Sequence, residues 1–134
     1  MKCTLFLAAQ SILVDYQTRR ASAINIIDSF SSPTFPFLLQ LSILAAFEKD
    51  QDGSSGTFKI NISLDGAPLL SPINVDMVIV PEANGAKNIT TLGALVVTNP
   101  GTILLSLDDE SKEQDKKTIA TYSLKVVPAN IPQQ

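Results

Sequence analysis

Histidine is absent from the chain, and cysteine occurs once, as Cys3. Histidine is the commonest general base and the commonest transition-metal ligand, so its absence removes Ser-His-Asp and Cys-His catalysis together with every histidine-bearing zinc site. One cysteine permits no internal disulfide, and with nothing pointing to an oxidising compartment the expected location is the cytoplasm. Cys3 lies in an apolar stretch with no base beside it, which predicts packing rather than reactivity. Charge is also scarce, at 17% of residues, and its balance is acidic at −3. Such a surface does not neutralise phosphates, and no basic patch interleaved with aromatics occurs, so no nucleic-acid partner is expected. No apolar run approaches the ~18 residues of a membrane-spanning helix, so no membrane partner is expected either. Met1 to Ala9 superficially resembles a secretory leader, with Lys2 before Leu5, Phe6 and Leu7. Its apolar run is shorter than the ~7–15 residues of a leader core and Gln10 interrupts it, so it reads as a first strand.

What the sequence does hold is alternation. In Phe37 to Phe47, residues Phe37, Leu39, Leu41, Ile43, Ala45 and Phe47 fall on one side of a period-2 pattern, while Gln40 and Ser42 interrupt the other. Extended, this stretch spans ~36 Å, long for a strand and suited to the middle of a sandwich. The alternation is cleanest in TFKINISLDG, where Phe58, Ile60, Ile62 and Leu64 oppose Lys59, Asn61, Ser63 and Asp65, the mark of a strand with one wet face. Further strands are expected at Cys3 to Ala8, Ile12 to Tyr16, Ser22 to Asp28, Ile73 to Val80, Leu92 to Thr98, Thr102 to Leu107 and Ile119 to Val127. Between them lie turn signals. These are Asp15 to Arg20, the Ser- and Pro-rich Ser29 to Pro36, Lys49 to Gly56 as a hairpin connection, Asp65-Gly66, Pro81 to Lys87, and Asn99-Pro100-Gly101 joining a strand pair. With 134 residues the expectation is one domain over residues 1–127 and a flexible tail at 128–134. The predicted fold is all-β. It is an antiparallel β-sandwich of about eight strands, immunoglobulin-like or C2-like in architecture, with a small β-barrel as the alternative.

Taken together, LAAQSILVD near the start, SAINIIDSF followed by FPF, the alternating KINISLDG, and NPGTILLSL near the end resemble a family of small uncharacterised bacterial proteins catalogued as a domain of unknown function. The resemblance spans nearly the whole chain. It implies a β-sandwich and a bacterial source, and it carries over no catalytic residue. The basic hairpin usual in that family corresponds loosely to Arg19-Arg20.

Candidate chemistry is thin. Glu48, Asp50, Asp52 and Gly53 form E-x-D-x-D-G, which matches the first half of a calcium loop with oxygen ligands at alternate positions and a glycine at the bend. The first position departs from that pattern, and the twelfth is Lys59 where a bidentate glutamate belongs, so a solvated loop is the competing reading. Asp108 to Lys117 concentrates mixed charge and reads as a solvated loop rather than a site for a basic partner. Asp15 with Asp28, or Asp65 with Asp76, would need a defined separation to act as a glycosidase pair, and linear sequence does not show one. No cofactor is implied. Several strands, however, are apolar on both faces. Val78 and Val80 oppose Met77 and Ile79, Leu95 and Val97 oppose Ala94 and Val96, and Leu104 opposes Ile103 and Leu105. A two-layer sandwich covers one face per strand, so these second-face residues predict self-association as a two-fold homodimer, with an unknown protein as a further partner. The functional expectation is a non-catalytic interaction or structural module. A calcium- or carbohydrate-binding module is the alternative, and an enzyme ranks third.

Overall fold

The computed structural model describes residues 1–51, 53–111 and 117–129. Asp52 of the acidic loop, most of the charged run after Ser111 and most of the expected C-terminal tail lie outside the described residues. Among the described residues there are ten strands: β1 (Lys2–Val14), β2 (Ala21–Ile26), β3 (Ser29–Ser32), β4 (Phe37–Glu48), β5 (Ser55–Leu64), β6 (Ala67–Pro68), β7 (Ile73–Val78), β8 (Gly85–Val97), β9 (Gly101–Asp109) and β10 (Lys117–Pro128). They form two sheets, one in the order β2-β1-β4-β8 and one in the order β3-β10-β9-β5-β6, with β7 also paired to β5. The fold is therefore an all-β sandwich, and the open edges of both sheets exclude a closed barrel. All pairings are antiparallel except that of β3 with β10.

The core follows from the alternation. From β4, Leu39, Leu41, Ile43, Ala45 and Phe47 are buried, and from the opposite sheet they meet Phe58, Ile60 and Ile62 of β5, Ile103, Leu105 and Leu107 of β9, and Leu124 and Val126 of β10. Phe47 and Phe58 join the two layers, with ring centroids 4.6 Å apart and planes tilted by 31°. A further aromatic group forms where β3 approaches β4, Phe37 stacking on Phe30 at 5.2 Å and meeting Phe35 edge-on at 5.3 Å.

Several local expectations change. The two short N-terminal segments are one strand of 13 residues, because Ala9, paired with both β4 and β2, and Ser11, paired with β2, carry the ladder past the polar interruption at Gln10. Ser29–Ser32, expected as loop, is an edge strand on β10, where following prolines break no ladder. Lys49 to Gly56 is not a hairpin connection, nor do the strands either side of Asn99-Pro100-Gly101 pair with each other. Both segments carry the chain from one sheet to the other, so β4 pairs with β1 and β8, whereas β9 pairs with β5 and β10. Turn residues mark a reversal of direction, and a reversal between layers carries the same chemistry as one within a sheet. Asp65-Gly66 is a two-residue hairpin, with Leu64 opposite Ala67 and both turn residues at positive φ. The C-terminal boundary moves outward: Pro128 belongs to β10, and the Ala129 amide donates to the Ser32 carbonyl at 2.9 Å.

The crossing into β9 is latched. The Thr102 amide donates to Asp65 Oδ1 at 3.0 Å, and a Cβ added at Gly101 would stand 2.2 Å from Asp65 Oδ2. We expect Gly101→Ala to destabilise the protein by about 1–3 kcal/mol, and by less in an Asp65→Ala background, in denaturant melts of the double-mutant cycle. Additive losses would show that the two residues do not share this contact. Phe47→Ala should lower stability more, by about 3–5 kcal/mol, because it removes a fully buried aromatic ring that packs across the two layers.

Candidate functional site

The groups most capable of chemistry are committed to holding backbone. Asp15 Oδ1 accepts from the amides of Gln17 and Thr18 at 2.8 and 3.0 Å, and these bonds hold its carboxyl below the usual range. Asp15 sits at the tip of the β1–β2 hairpin and Asp28 beyond its base, separated by the length of β2, roughly 20 Å at ~3.3 Å per residue. Asp76 pairs in register with Thr57, eight positions along the strand from Asp65, a distance of roughly 27 Å. Neither pair approaches the ~5–9.5 Å that glycosidase carboxylates require. Cys3 is half-buried, its Sγ 3.4 Å from the Leu5 carbonyl, and burial pushes its thiol pKa up. At neutral pH it stays protonated, the opposite of an activated nucleophile.

Of the acidic loop, Glu48 ends β4 with its side chain exposed, and Asp50 Oδ1 receives the terminal ammonium of Met1. Asp50 also forms a bridge with Gly53. The candidate twelfth ligand position, Lys59, is held within β5 between Asn74 and Asp108. Among the described residues, no group of three acidic or cysteine side chains converges as a metal site. An open cavity of about 500 Å³ lies where the β5–β6 turn meets the end of β8. Its one charged lining residue, Asp65, is the carboxylate that latches Thr102.

The feature that remains is the contrast between the two outer faces. On the six-stranded sheet the outward residues of β5 are Lys59, Asn61 and Ser63, those of β9 include Thr102, Ser106 and Asp108, and those of β10 include Thr121, Ser123 and Lys125. Asn61 Nδ2 donates to Asp108 Oδ2 at 2.7 Å, and Thr118 Oγ1 donates to Asp108 Oδ1 at 2.7 Å. Polar groups bonded to one another and to water need no cover. The four-stranded sheet is different. Its outward rows, read across the register, are Leu5, Ala46 and Lys87; then Leu7, Leu44 and Ile89; then Ile26, Ala9, Ser42 and Thr91. Ile24 and Leu13 extend the face on one side, Leu38 and Val96 on the other. Leu5 is 46% exposed, Ile26 57%, Leu38 67% and Val96 49%. Ala9 and Leu44 are buried yet lie outside the interlayer core, sheltered at the centre of this outer face by the side chains flanking them. Ser42, the buried polar residue among them, meets the Thr91 hydroxyl at 3.1 Å.

The expected self-association residues fall in three places. Val78 and Val80 are exposed, as expected, but lie on and beyond β7 at the margin of the other sheet. Leu104 is 41% exposed and isolated, standing between Ser63 and Ser123 in register. Leu95 and Val97 are corrected: both are core residues, at 2% and 0% exposure, and Val96 is the outward one. An irregularity between Leu39 and Leu41 sets Leu41 against Leu92 and Leu39 against Leu95, so β8 carries one extra residue and its alternation shifts. Where both faces are apolar, period alone does not tell them apart. Leu5, Leu7, Leu44 and Ile26 were missed for the same reason, although the double-sided apolar runs LFLAA and SILAA contain the signal.

Because its thiol is desolvated, Cys3 should react with a thiol reagent at pH 7 more slowly than free cysteine, and reach the free rate once the protein is denatured. Equal rates in the two states would place the thiol in an activated or open setting. Comparison with family models, curated proteins and solved structures finds no match.

Proposed function

We propose that this chain is a non-catalytic β-sandwich interaction module that docks protein through the outer face of its four-stranded sheet. One observation carries the reading: of two outer faces built by the same chain, one is polar and hydrogen-bonded, and the other presents large apolar side chains from all four strands, with Ser42, Thr91 and the exposed Gln40 among its few polar positions. Exposed apolar area beyond a few hundred Å² marks an interaction site in a water-exposed protein. Cross-strand pairing alone does not require it, since β5 pairs on both sides while presenting lysine, asparagine and serine outward. The absence of histidine, the separation of the carboxylate pairs and the raised Cys3 pKa support a binding role over an enzymatic one. The lone cysteine supports placement in the cytoplasm, and the bacterial source rests on the family resemblance.

The test is retention on an apolar matrix at nanomolar concentration, where weak self-association is absent. Leu5→Lys with Ile26→Lys should cut retention sharply while leaving the melting temperature within a few degrees, because both positions are already half-exposed. Val78→Lys with Leu104→Lys should change it little. Retention that follows the second pair and ignores the first would move the docking surface to the other sheet and overturn the proposal.

A further inference from the structure

Resting on that reading, we infer that the partner covering the apolar face is a second copy of this chain, packed sheet against sheet about a two-fold axis. The first argument is area. Along β1 the outward stretch from Leu5 to Leu13 is flanked by β4 and β8 up to Ala9 and by β2 from Ala9 onward, and with residues 22–26, 38–46 and 87–96 of those strands it makes a flat face of roughly 500 Å² before side-chain relief is counted. A stable protein interface covers ~800 Å² per partner, so the face as a whole is of dimer size and too large for a short peptide alone.

The second argument is charge. The interior of the patch carries none; the charged outward residues Lys2, Glu48 and Lys87 sit together at one end, where Lys2 is opposite Glu48 in register. Foreign partners are usually selected by complementary fields, and this face has no such address. What it offers is shape. A twisted sheet is matched by a sheet of the same twist, the two packing ~10 Å apart with strands about 30° off alignment. The chain itself supplies that surface in equal amount, and a two-fold contact consumes both copies of the patch and closes the assembly. A lipid surface fits less well. Interfacial binders combine basic rims with tryptophan, whereas this chain has no tryptophan and a net charge of −3.

The experiment combines light scattering after size-exclusion chromatography with disulfide trapping, using the full chain at tens of micromolar. The expected mass is twice 14.4 kDa. Leu5→Lys with Ile26→Lys should weaken association at least ~10-fold, the loss of a strong interface contact. In a Cys3→Ser background, Leu7→Cys, at the middle of the face, should form a covalent dimer on mild oxidation, and Leu104→Cys should not. A monomer at millimolar concentration that is still retained on the apolar matrix in a Leu5- and Ile26-dependent way would overturn the second copy as partner while sparing the docking face. A monomer without such retention would remove both. A dimer indifferent to the face variants but lost with Val78→Lys, or binding of the monomer to neutral phospholipid vesicles through Leu5 and Ile26, would equally overturn the proposal.

Discussion

The structure depends on the contact between the inward rows of β4 and β5. These two strands lie in different sheets, and the rings of Phe47 and Phe58 meet between the layers with centroids 4.6 Å apart. Neither sheet can bury its apolar row alone, so the rest of the topology serves to supply neighbours to these two strands: β1 and β8 flank β4, while β9 and β7 flank β5. The chain must therefore cross between layers repeatedly. It does so at segments fastened by backbone bonds, such as the Ile79 amide to the Ser54 carbonyl at 2.7 Å and the Asp65 amide to the Thr102 carbonyl at 3.0 Å.

This division of labour explains where the acidic residues went. Asp15 closes the tip of one hairpin, Asp65 latches a crossing, and Asp108 bonds two neighbours on the outer face of the six-stranded sheet. A carboxylate whose oxygens accept backbone or side-chain donors is stabilised in its charged form and positioned for structure. None of these three is thereby brought beside a second acid.

The two sheets differ in what they leave outside. The six-stranded sheet is finished by polar residues, so the sandwich is self-sufficient on that side. The four-stranded sheet instead carries a largely apolar outer surface, with the buried Leu44 and Ala9 beside Ser42 at its centre. Its long edge strand β8 is less exposed to lateral pairing than its 13 residues suggest, because the irregularity before Leu95 disrupts the ladder and Lys87 places a charge along the strand. Face, rather than edge, is the unfinished surface.

Composition and period were enough to establish the all-β class, the inward rows of β4, β5 and β7, the Asp65-Gly66 hairpin and the lack of a histidine-based site. Each is a local property: alternation with one wet face has a single burial solution, and a residue type that is absent cannot contribute chemistry. Which turns join strands in one sheet and which cross between layers was decided only in three dimensions, because both need the same reversing residues. The same holds for the faces of β1 and β8. A strand apolar on both sides has two nearly equal ways to sit, and one extra residue in β8 sent Leu95 and Val97 inward and Val96 out. The choice was made by the opposing layer, which can cover only one face of each strand, and the face it left uncovered is the one we propose for docking.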